Sequence, residues 1–117
     1  MDSKTYQKAA LRTESGGHSH FSRLLHAGMG LSTESGEFVD ALKKHIFYGK
    51  ELDETNLKEE IGDVLWYCAI ALDVLETDFE SVMQRNIDKL AARYPEKFTT
   101  EKANKRDLKK ERKILEG

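Results

Sequence analysis

Four acidic side chains stand out, because their types and spacing suit the capture of a cation. Glu34 and Glu37 lie three residues apart, and Glu60 and Asp63 repeat that spacing 26 residues later. In a helix, at roughly 100° per residue, positions three apart project only about 60° from one another, so each pair forms one small anionic patch. Like charges so placed are mildly destabilising when exposed and more so when partly buried. A chain that does this twice within its most apolar region is expected to hold a cation there. Carboxylate oxygens favour Mg²⁺ or Mn²⁺, and no Cys/His set of the zinc kind accompanies them.

Two long helices must carry these acids. The first is expected over 20–47, where Phe21, Leu24, Leu31, Phe38, Leu42 and Ile46 recur at helical spacings. Gly28, Gly30 and Gly36 weaken it locally, but glycines on a helix also let another helix or a ligand come close. Gly49 is a plausible stop, and 53–56 offers N-caps for a second long helix over 55–76. Its stripe is Leu57, Ile61, Val64, Leu65, Cys68, Leu72 and Leu75. On a helical wheel the first stripe centres near Leu42 and the second near Cys68. In both helices the two acids fall roughly 80° and 140° to the same side of the stripe. Packed seam to seam as an antiparallel hairpin, the helices can bring all four carboxylates to one rim of the core.

The remaining elements are shorter. A helix is expected over 4–13, followed by a flexible joint at Ser15, Gly16 and Gly17. Another is expected over 78–94, with Thr77 and Glu80 in a capping-box pattern and Pro95 closing it. From Val64 to Leu72 the second long helix is apolar all round, which in a chain this small implies a subunit interface. The tail 99–117 holds seven Lys/Arg against four Asp/Glu and reads as a frayed or solvent-exposed helix.

At 117 residues the length suits one domain, and a helical chain of that size is expected to complete its core by oligomerising. Charged residues form 34% of the chain and hydrophobic ones 38%, as in soluble helical proteins. A net charge of −2 gives no global attraction to nucleic acid or to an anionic membrane. No apolar run approaches a membrane span and no signal peptide is recognisable, so a cytoplasmic location is expected. Cys68, the single cysteine, reads as a small buried residue.

An oxygen-only metal site leaves coordination positions for phosphate oxygens, which would call for cationic side chains nearby. Asn86, Lys89 and Arg93 form such a stripe on the fourth helix, with Lys43 and Lys44 as further candidates. His18 and His20 lack a third ligand and read as a polar loop. Trp66 and Tyr67, beside Asp63, could stack on a base or pack at an interface.

The segment Gly30-Leu-Ser-Thr-Glu34-Ser-Gly-Glu37, followed by Lys43 and Lys44, resembles the first signature of the MazG-like all-α nucleoside triphosphate pyrophosphohydrolases. Glu59-Glu60-Ile-Gly-Asp63-Val-Leu-Trp66-Tyr67 resembles the second, and Asn86-Ile-Asp-Lys89-Leu-Ala-Ala-Arg93-Tyr94-Pro95 the third. The resemblance runs from about 24 to 98, leaving 1–19 as an N-terminal segment, 20–98 as the catalytic helical domain and 99–117 as a charged tail. It implies an all-α, four-helix-type bundle in an intertwined homodimer or homotetramer. It also implies Mg²⁺-dependent cleavage of a nucleoside triphosphate to monophosphate and pyrophosphate. Glu34, Glu37, Glu60 and Asp63 would take the metal-ligand positions, with Glu37 the candidate for orienting the attacking water. Asn86, Lys89 and Arg93 would face phosphates; Lys44 stands beside them as a further substrate-binding candidate, and Trp66 as a candidate for the base or an interface. A carboxylate-bridged di-metal protein is the chief alternative, but that class prefers Glu-x-x-His pairs. A non-catalytic helical oligomer that binds metal or nucleotide is the other.

Overall fold

The computed structural model describes residues 1–117, which form six helices and no strand. They are α1 (Ser3–Leu11), α2 (His20–Tyr48), α3 (Glu54–Val74), α4 (Phe79–Arg93), α5 (Thr100–Asn104) and α6 (Leu108–Glu116). The chain is all-α. It divides into two compact units, Met1–Asp78 and Phe79–Gly117.

Capping chemistry explains most helix boundaries. Asp2, Ser19, Asp53, Thr99 and Asp107 each accept a hydrogen bond from the backbone N–H three residues on, satisfying donors that the first turn leaves unpaired. Gly49 ends α2 in the left-handed region at φ 67°, and its N–H donates to the Lys44 carbonyl. His45 Nδ1 meets the Lys50 carbonyl at 2.8 Å, which ties the start of the connector back onto the helix.

In the first unit, α2 and α3 pack along the most extensive helix–helix interface of the chain, and α1 lies against α3. Three cross-helix neighbours fix the register: Arg23 with Asp73, Gly30 with Tyr67, and Glu34 with Glu60. The number rises on one helix as it falls on the other, so α2 and α3 are antiparallel. The buried core is small, comprising Ala10, Ala27, Ala69, Ile70 and Val74. Gln7 of α1 is buried beside it and donates to the carbonyls of Ala69 and Thr77. Much of the burial inferred for 64–72 therefore comes from within the chain, through α1. Leu65 nevertheless stays 43% exposed.

In the second unit, α6 packs on α4. The tail is largely exposed, as expected, with one exception: Glu111 is only 4% exposed, and the guanidinium groups of Arg93 and Arg106 close on its carboxylate. The cause is electrostatic, since two cationic forks compensate one buried anion. Arg106, then Arg93, hold the Glu111 carboxyl down at about 2.

Candidate metal centre and substrate cleft

Carboxylate oxygens of Glu34, Glu37 and Glu60 all lie within 4.8 Å of one another. Glu34 and Glu37 come from adjacent turns of α2, and Glu60 reaches them from α3 across the hairpin. Burial is graded across the group. Glu60 is 6% exposed, Glu34 is half-buried, and Glu37 lies at the open edge. The Oε2 atoms of both Glu34 and Glu60 are buried without a hydrogen-bond partner. Buried polar atoms are nearly always paired, so two orphaned oxygens within one acidic cluster are an unmet demand for a cation or proton. The Glu60 carboxyl accordingly rises to about 7. The largest cause is hydrogen bonding with Glu34, because neighbouring carboxylates can share a hydrogen bond only when one is protonated; burial and the Glu37 charge add to it.

Asp63 is not one of the three clustered acids. Three residues beyond Glu60, it is rotated by roughly 60° around α3. That rotation turns it toward α1, where burial of the Tyr6 phenol, and after it the Asp63 charge, push that phenol up. A helical wheel treats the helices as isolated cylinders and so places four acids in convergence; the packed hairpin brings three together. No histidine joins them, which separates the arrangement from the Glu-x-x-His di-metal pattern.

Beside the cluster an open cleft of about 410 Å³ is lined by Glu37 and Glu60 together with Asp40, Ala41, Lys44, Lys50, Glu51, Asp53 and Asn56. Five carboxylates against two lysines leave its lining strongly anionic. Asp40 accepts ion pairs from Lys44 at 2.7 Å and Lys43 at 3.3 Å. Sequence reasoning does not single out Lys50 and Asp53 as cleft residues. The connector between α2 and α3 places them there, and a connector has no periodicity to read. A second hollow of about 300 Å³, lined by Ser35, Phe38, Val39, Glu60, Ile61 and Val64, adjoins the buried side of the acids.

The other sequence candidates have partners of their own or lie in the second unit. Trp66 Nε1 donates to Thr13 Oγ1 at 2.8 Å, and its ring meets Tyr67 and His26 edge-on. His18 contacts Ser15, and His20 begins α2. In the second unit α4 carries Asn86 and Lys89, while Arg93 is engaged by Glu111 at 2.5 Å.

The sequence profile of the MazG nucleotide pyrophosphohydrolase domain matches residues 25–98, most of the chain, and contains all three clustered acids. The chain belongs to this family. A curated relative, the Gene 37 protein of Mycobacterium phage L5, is 36% identical over 75 residues. That match covers 60% of this chain and 65% of the phage protein, just under two thirds of the latter's length. No solved structure matches.

Proposed function

We propose that the protein hydrolyses a nucleoside triphosphate, ribo or deoxy, to the monophosphate and pyrophosphate with the help of Mg²⁺, Mn²⁺ being an alternative ion. The single observation that carries this reading is the pair of buried, unpartnered oxygens on Glu34 and Glu60, within a family of nucleotide pyrophosphohydrolases. Hard carboxylate donors fit Mg²⁺, and Glu34, Glu37 and Glu60 would hold it. When bound, the ion supplies charge neutralisation for the polyphosphate and acidifies water.

The residues then divide the work. Glu34 and Glu60, on two helices, form a rigid base for the site. Glu37, at the open edge, is the carboxylate able to orient a water and accept its proton. Lys44 and Lys50 offer cationic contacts in the cleft, where the anionic lining would repel a polyphosphate in the absence of divalent ions. Asn86 and Lys89 are assigned to phosphate oxygens. Arg93 is assigned there too, although its guanidinium already pairs with Glu111. Trp66 already uses its indole N–H on Thr13 and retains a ring face for a base.

The exposed apolar residues Phe21, Leu25 and Met29, four apart on α2, support assembly into a homodimer or homotetramer. No helix is long and apolar enough to cross a membrane, and a cytoplasmic location with a nucleotide substrate agrees with that. To test the reaction, pyrophosphate release from a panel of triphosphates is followed with excess Mg²⁺ for wild type, Glu37→Ala and Glu60→Gln. Wild type should release pyrophosphate and each variant should lose roughly a hundredfold in rate. Wild-type rates in both variants would reject the assignment.

A further inference from the structure

Glu34 and Glu60 belong to different helices, so the gap between their carboxylates depends on how closely α2 approaches α3. At Gly30 the two helices meet closely. A Cβ built there would fall well inside van der Waals contact of three Tyr67 ring atoms, Cδ1, Cε1 and Cζ. At Gly28 and Gly36, on the same helix, a Cβ would meet nothing within 4 Å. Only one of α2's three glycines is therefore required by packing, and it is buried.

The Tyr67 ring is held in place on its other sides. His26, one turn before Gly30, meets it edge-on with centroids 5.5 Å apart at 89°. Trp66 meets it at 5.0 Å and 89°, and is itself anchored to Thr13. Arg23 pins the hairpin beyond this point, bridging Glu14 and Asp73. A braced ring resting on bare backbone is a mechanical stop between two helices. Gly30 precedes Glu34 by four residues, about one helical turn or roughly 6 Å, and Tyr67 follows Glu60 by seven, about two turns or roughly 10 Å.

We propose that the Gly30–Tyr67 contact is the spacer that sets the separation of the acid-bearing helices, and so tunes the cluster to a small divalent cation. The proposal rests on the metal reading given above. Its physical basis is that Mg²⁺ requires near-ideal octahedral geometry at about 2.0–2.1 Å, whereas Ca²⁺ accepts flexible geometry at about 2.3–2.6 Å. A methyl group at Gly30 would force ring or helix to yield by on the order of 1 Å to regain normal carbon–carbon contact. That displacement is disabling for Mg²⁺ and tolerable for Ca²⁺. Gly30 and Tyr67 are thus positioning residues, acting through Glu34 and Glu60.

The test is calorimetric titration of Mg²⁺ alone and Ca²⁺ alone into the full chain, for wild type, Gly30→Ala, Tyr67→Ala and the double variant. Circular dichroism checks that each is folded. Gly30→Ala should lose roughly tenfold or more in Mg²⁺ affinity and distinctly less in Ca²⁺ affinity, lowering the Mg²⁺/Ca²⁺ ratio. Removing the ring in the double variant relieves the clash but not the loss of the stop, so its ratio should match that of Tyr67→Ala rather than fall further. If Gly30→Ala does not fold, Tyr67→Ala carries the test, because loss of the stop should also lower the ratio. A folded single variant with the wild-type ratio overturns the spacer while leaving the metal site intact. A wild-type chain that binds neither ion overturns both, and so marks a failure of the metal reading itself.

Discussion

Glu60 is placed under opposing demands, since its surroundings exclude water while two other carboxylates press on it. Its carboxyl titrates near 7, above the usual value of about 4.3, so the folded metal-free protein binds a proton there that the unfolded chain has released. Glu60's contribution to metal-free stability should therefore be fully present below the ordinary glutamate range and be lost as pH rises through about 7. Thermal melts in EDTA from pH 5 to pH 8.5 would check the direction. Mg²⁺ displaces that proton, so Mg²⁺ affinity should rise with pH up to about 7 and then level off. Glu60→Gln, which removes the charge but keeps the shape, should flatten the metal-free profile, raise the melting temperature at pH 8 and abolish stabilisation by Mg²⁺. An unaltered pH profile in Glu60→Gln would count against the cluster as its source. That two acids stand together on each long helix is legible from their spacing alone, because helical periodicity fixes direction around an axis. The departure of Asp63 is not, because it depends on α1 occupying the neighbouring face of α3.

Helices α1 to α4 follow from apolar periodicity and caps, and their ends agree with expectation to within about two residues. The tail is harder to read, because the innermost residue of α6 is a glutamate. A charge at a packed position looks like a solvated face until its partners are known. Glu111 is satisfied by Arg106 and Arg93, and its depressed carboxyl contributes stability above the ordinary glutamate range that is lost as pH falls toward about 2. Glu111→Leu should lower the melting temperature, because two guanidinium groups lose their counter-charge, and should remove that acid-side dependence. Glycines divide in the same structural terms. Gly28→Ala, into open space on a regular helix, should stabilise by about 0.5–1 kcal/mol, and Gly49→Ala, at φ 67°, should cost about 1–2 kcal/mol. Urea unfolding measures both, and equal effects would contradict the distinction.

Across the whole molecule, the apolar surface exceeds what the folded chain covers. Phe21 is 71% exposed, Leu25 52% and Met29 60%, with Ile61 at 52% on α3. Sedimentation should find a dimer or tetramer, and Leu25→Asp with Met29→Lys should shift it toward monomer. A wild-type monomer at micromolar concentration would contradict that expectation. The amphipathic pattern signals this excess in the sequence, although a stripe does not say which copy or face will cover it. The most direct test of the central claim is ³¹P NMR of a nucleoside triphosphate turned over by the full chain with Mg²⁺. Monophosphate and pyrophosphate should appear together and cease to form when EDTA is added. Release of orthophosphate, or a triphosphate left intact across all the common bases, would contradict the account.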